Sequence, residues 1–191
     1  VCGTCDDGFN CSAGSCVEAG SDDCNDGNDI LWDGCTEGKI TEYRVNTFTP
    51  GDQTYPDVAG LSNGRHVIVW QSYDQDGEYW GVYGQLFDSD GTAMGDEFQA
   101  NAYTTHYQYW PRVAALGEGK FMVVWQSYNN EGDNKYHAFS QRYNADGSKD
   151  GTETRLDGDL GQNAEYPVLA GRTDGSIHVA WNRHTDGSGH G

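Results

Sequence analysis

Thirty acidic side chains against eleven basic ones give this 191-residue chain a net charge of −19. A surface that acidic repels phosphate backbones and anionic lipid headgroups, which argues against nucleic acid and membrane surfaces as partners. No stretch approaches the run of about 20 apolar residues that a spanning helix needs, and no charged-then-apolar leader is present. The first residue is Val1 rather than Met, as in a processed or partial chain. Glycine reaches 27 residues and methionine only 2, while the apolar residues fall in short β-branched and aromatic runs, so the composition predicts an all-β protein.

The first segment, residues 1–42, holds all six cysteines: Cys2, Cys5, Cys11, Cys16, Cys24 and Cys35. An even, clustered set in a Gly/Asp-rich stretch with almost no apolar residues reads as a disulfide framework in an oxidising compartment, because such a stretch buries no core of its own. Zinc is the competing reading, from the CxxC of Cys2 and Cys5, but a structural zinc site wants a second close pair or histidines, and disulfides are favoured. Six cysteines allow about fifteen pairings, and all stay open. Asp23, Asp26, Asn28, Asp29 and Asp33 crowd together here, equally readable as calcium ligands or as a solvated acidic loop. Asn10-Cys-Ser is a glycosylation sequon.

Beyond residue 42 the chain turns aromatic and β-branched, and it repeats. Pro56, Pro111 and Pro167 lie 55 and 56 residues apart, and Trp70, Trp125 and Trp181 keep the same intervals. The first unit predicts four strands, at residues 55–61, 66–73, 79–87 and 97–103. The second of these is apolar on both faces through Val67, Ile68, Val69 and Trp70, as a central strand covered on both sides should be. Asn63-Gly64, Asp76-Gly77 and Asp90-Gly91 separate the strands, and such pairs tolerate the positive φ of antiparallel hairpins. A four-stranded antiparallel unit at this period predicts propeller-like blades; a sandwich gives no reason for phase-locked copies, and solenoid coils repeat at a shorter period. Units at 43–97 and 98–153 are followed by a third cut short at 154–191, about two and two-thirds in all. A closed ring needs about four blades or more, so either a continuation or a neighbouring copy is expected to complete it.

The stretch VAGLSNGRHVIVWQSYDQDG, followed by GVYGQLFDSDGTAMGDEFQAN, resembles tandem repeats of large secreted bacterial proteins with propeller-like domains. The likeness covers most of residues 43–183. The Cys-rich head, through DDCNDGNDILWDGC at 22–35, is similar to short Cys-rich repeats of bacterial surface proteins common in myxobacteria. The resemblance implies extracellular placement and a role in adhesion, surface architecture or matrix, and it brings no catalytic residue with it.

The repeats offer three candidate chemistries. Asp88, Asp90 and Asp96 in DSDGTAMGD place alternating carboxylates before a Gly turn, a spacing that suits calcium. A hairpin turn in which Asp88 bonds its own backbone is the favoured alternative, and the matching loop at 144–151 carries Lys149, which weakens a cation site. Tyr107, Tyr109 and Trp110 form a second candidate, with Asn and Gln neighbours and aromatic faces suited to sugar rings, although a structural role is the favoured alternative. Trp70, Trp125 and Trp181 are expected in the core. Catalysis has the least support: GxSxG, HExxH and P-loop motifs are absent, and His66, His106, His137 and His178 fall at different places in the units. The expectation is therefore a non-enzymatic, extracellular structural protein that associates with copies of itself into a filament or surface layer, or alternatively a glycan-binding adhesion module.

Overall fold

The computed structural model describes residues 43–158, 161–172 and 174–184 with their side chains, together with the backbone of four short strands that lead into them. Those strands form two antiparallel hairpins, β1 (Phe9–Ser12) with β2 (Ser15–Glu18) and β3 (Leu31–Thr36) with β4 (Lys39–Arg44). The side chains of the six cysteines and of the Asp23 to Asp33 group lie outside the described residues.

The repeat builds what its period implies. One antiparallel sheet orders β5 (Gln53–Gly60), β6 (His66–Tyr73), β7 (Trp80–Phe87) and β8 (Ala93–Gln99) side by side. The next unit repeats it with β9 (Gln108–Ala115), β10 (Phe121–Tyr128), β11 (Tyr136–Tyr143) and the two-residue β12 (Thr154–Arg155). The third contributes β13 (Asn163–Gly171) and β14 (Ile177–His184). The described chain is all-β, in propeller-like blades, as expected.

The continuous apolar run of the second strands is explained by cover on both faces. Alternation sends Val67 and Val69 of β6 toward the second blade, where they join Val113, Phe121, Val123 and Trp125 in one buried cluster. Ile68 and Trp70 point the opposite way, into a cluster with Val45, Tyr83 and Phe87. The second blade repeats the rule, with Met122 and Val124 turned toward Leu169, Ile177 and Val179 of the third. Each strand-two tryptophan therefore faces the blade before it. For Trp70, residues 43–46 stand in that place: Tyr43 lies 6.0 Å from Phe87, as Phe98 lies 4.8 Å from Tyr143 one blade later.

Two expectations need correction. The fourth strand runs over Ala93–Gln99 rather than 97–103, because Ala93 pairs with Phe87 directly after the Asp90-Gly91 turn. After Ala100 the chain leaves the ladder, and the Asn101 side chain replaces it by accepting from the Val82 N–H at 2.8 Å. Trp181 is only half-buried, whereas Trp70 and Trp125 are fully buried. The latter two have a ring opposite them on the third strand, Tyr83 and Phe139; among the described residues β14 pairs with β13 alone.

The first strand of every blade carries a bulge at the aromatic-Pro pair, with register breaks between Thr54 and Asp57, opposite Val124 to Gln126, and between Glu165 and Val168. A residue before proline is disfavoured in the right-handed α region. Tyr55, Trp110 and Tyr166 instead take left-handed φ of 54°, 50° and 54°, at about 1–2 kcal/mol each for a side chain with a Cβ. The buried glutamine of the preceding blade holds the turned backbone: Trp110 N–H donates to Gln71 Oε1 at 3.0 Å and Tyr166 N–H to Gln126 Oε1 at 2.8 Å. Gln126→Ala is expected to lower stability by about 1–2 kcal/mol, since it strands that N–H. Urea denaturation would measure this, and an unchanged midpoint would show that the bond does not couple the blades.

Candidate functional site

The three bulges present their aromatic rings along one line. Tyr55 meets Trp110 edge-on at 6.1 Å, and Trp110 lies 4.1 Å from Tyr166. The row stays open to solvent, with Tyr55 51% and Tyr166 37% exposed, and it borders a cleft of about 320 Å³ lined also by Arg112, Pro167 and Val168. Left-handed backbone at a bulky residue is costly, and three such residues in phase point to a place where the fold fixes side chains for a purpose.

Tyr107, Tyr109 and Trp110, the predicted sugar-binding group, are brought together by this arrangement. Tyr107 stacks on Tyr109 at 5.3 Å and Tyr109 lies 5.4 Å from Trp110. Tyr107 and Tyr109 are half-buried rather than presented: Tyr109 also approaches Tyr136 at 6.5 Å, and burial, reinforced by Tyr136 and Tyr107, pushes its hydroxyl pKa up. The exposed members of the row, Tyr55 and Tyr166, are not among the residues that composition singles out, although their shared place before the phased prolines marks them.

Of the candidate calcium residues, Asp88 and Asp90 serve the turn. Asp88 Oδ1 accepts from the Ser89 N–H at 2.8 Å and Asp90 Oδ1 from the Thr92 N–H at 2.9 Å, while Gly91 takes a φ of 84° and donates back to Asp88 O. The bond from Thr92 lowers the Asp90 pKa. Asp96 is exposed on β8. In the matching loop Asp146 bonds Ser148, and Lys149 Nζ reaches Ala100 O of the previous blade at 3.3 Å. Among the described residues no three His, Cys, Asp or Glu side chains are placed to hold a metal ion.

A cluster with no sequence signal surrounds His137, which is fully buried on β11. Its Nδ1 lies 3.0 Å from Asp157 Oδ2 and its Nε2 3.1 Å from Asp133 Oδ2. Arg155 donates to Asp157 through Nε and Nη2, both at 3.1 Å, and pairs with Glu131 at 2.8 Å. Burial works against ionisation of Asp157, but the hydrogen bonds and charges of Arg155 and His137 outweigh it and hold its pKa low. At Asp133 burial is likewise outweighed, here by the His137 and Lys135 contacts.

No family model matches this chain, and no curated protein sequence matches it. Among solved structures it is similar to an endo-arabinase from Bacteroides thetaiotaomicron VPI-5482, at 15% identity and a TM-score of 0.50, over 80% of this chain and 60% of that one. An α-L-arabinofuranosidase from Lactobacillus brevis aligns at 14% identity and a TM-score of 0.49, over 78% of this chain and 52% of that one. The chain thus spans about 60% of the length of the arabinase, and what the two share is fold. This corrects the expectation of a non-enzyme, for the fold is one that an endo-arabinase uses. The physical reason lies in how the loops of one blade converge. Asp133 and Asp157 come from separate loops of the second blade yet meet at one histidine, so lack of a local motif says nothing against convergent acidic groups.

Proposed function

We propose that this is a carbohydrate-binding protein of the cell exterior, which holds a glycan along the Tyr55, Trp110 and Tyr166 row. The supporting observation is that three phased bulges, each at an energetic cost, keep these rings side by side and accessible. Flat apolar ring faces beside polar groups are the surface that the C–H faces of a sugar favour. Arabinan is the first ligand to test, since the similar fold belongs to an endo-arabinase. Trp110→Ala removes the central ring and is expected to weaken binding about tenfold or more, a loss of about 1.4 kcal/mol. Affinity electrophoresis in gels cast with arabinan or other plant and bacterial glycans would report it. Equal retardation of wild type and W110A in every gel would remove this reading.

A second reading, end-to-end association of copies into a filament or surface layer, draws on residues 43–46. Asn46 donates to Phe48 O and Gln53 Oε1 as Asn101 donates to Tyr103 O and Gln108 Oε1 after the fourth strand of the first blade. The segment thus occupies the place of the end of a preceding blade's fourth strand, while the third blade has two strands among the described residues. Among the described residues β14 has one unpaired edge, and unpaired edges favour association between copies. Sedimentation velocity over a hundredfold range of concentration is expected to show species growing beyond the monomer; a single monomeric boundary throughout would sink this reading.

A further inference from the structure

We propose that the aromatic cleft selects sugars bearing a carboxylate, with Arg112 as the group that receives it; this rests on the carbohydrate-binding reading. Arg112 lines the cleft together with Tyr55, Trp110 and Tyr166. It sits half-buried on β9, and its side chain makes no hydrogen bond or ion pair among the described residues. Arg142 and Arg172 share that lack but are exposed to solvent, so Arg112 stands apart by its partial burial. Elsewhere in the blades Arg65 pairs with Asp88, Lys120 with Asp150, and Arg155 with Asp157 and Glu131.

The fold itself does not call for a cation at this position. The first residue after the bulge is Asp57 in the first blade, Arg112 in the second and Val168 in the third, paired across the ladder with Val69, Val124 and Ala180. Asp57 is committed to the blade interface, where its Oδ2 accepts from the Val113 N–H at 2.9 Å. Val168 is an exposed apolar wall of the cleft. The three copies thus share no common structural duty at this position. A guanidinium offers a planar fork of donors that matches both oxygens of a carboxylate, and in a half-buried, aromatic setting that pairing is screened less than on open surface. Rings for the sugar face and a fork for its carboxylate describe a site for a uronic acid residue. The surrounding negative charge disfavours long polyanions, so a short acidic oligosaccharide, or an acidic residue within a mostly neutral chain, fits best.

Isothermal titration with short oligouronides, their carboxyl-reduced counterparts and neutral arabino-oligosaccharides, at about 0.15 M salt, tests this. Wild type is expected to bind the oligouronide about tenfold or more tightly than its reduced counterpart. Arg112→Gln is expected to erase that preference, so that the acidic and the reduced sugars bind equally, with circular dichroism and melting temperature unchanged. Trp110→Ala is expected to weaken all three. Equal wild-type affinity for the acidic and reduced sugars, or an acid preference that survives in R112Q, would overturn the selectivity while leaving carbohydrate binding in place. Failure of wild type to bind any of them would overturn both.

Discussion

Trp125→Ala is expected to destabilise the protein by about 3–5 kcal/mol, the range for deleting a large aromatic from a packed core. Trp125 is fully buried at the seam of the first two blades, amid Val67, Val69 and Phe121, with Phe139 stacked beside it at 6.4 Å. Its loss opens a void in the contact that docks one blade on the next. A drop in melting temperature of about 10 °C or more would register it. Trp181→Ala at the matching place in the third blade is expected to cost less than half as much, because that ring is half-exposed and has no third-strand partner among the described residues. Equal losses at the two sites would show that repeat position, rather than surrounding cover, sets the contribution.

Asp157→Asn is expected to cost about 3–5 kcal/mol at neutral pH, the range for removing one member of a buried charged network. The carboxylate is the shared partner of His137, Arg155 and the Ala138 N–H, and Asn supplies neither the charge nor the second acceptor oxygen. The folded-state pKa of Asp157 is lowered, so its ionic contribution is fully present above the unfolded carboxylate pKa of about 4 and is lost as pH falls through the folded value. Wild type and D157N should therefore converge in stability as pH drops below about 4. Urea midpoints taken from pH 7 to pH 2.5 would show the gap closing, whereas a gap constant over that range would mean that the carboxylate charge contributes nothing.

Much of the strand layout is legible in the sequence. His66 to Tyr73 can be read there because continuous β-branched residues flanked by Gly turns mark a strand covered on both sides, and its cover on both faces bears this out. The fourth strand cannot, because Ala93 to Gln99 is part-exposed and carries no apolar alternation. The aromatic group at Tyr107, Tyr109 and Trp110 is legible from composition alone; Tyr55 and Tyr166, exposed rings on either side of Trp110, come from other blades and join it only through docking.

The period, the all-β class and the turns are local matters, resting on chemistry within a few residues: alternation, β-branching, and glycine or asparagine where φ is positive. Which way the phased tryptophans face, and that half-buried Arg112 opens into an aromatic cleft, depend instead on how one sheet seats against the next. Rings 55 and 56 residues apart along the aromatic row become neighbours only when blade docking supplies the free energy that holds strained bulges in place. Asp133 and Asp157, 24 residues apart, close on His137 within the second blade's own sheet, once β11 and β12 pair and bring their flanking loops together.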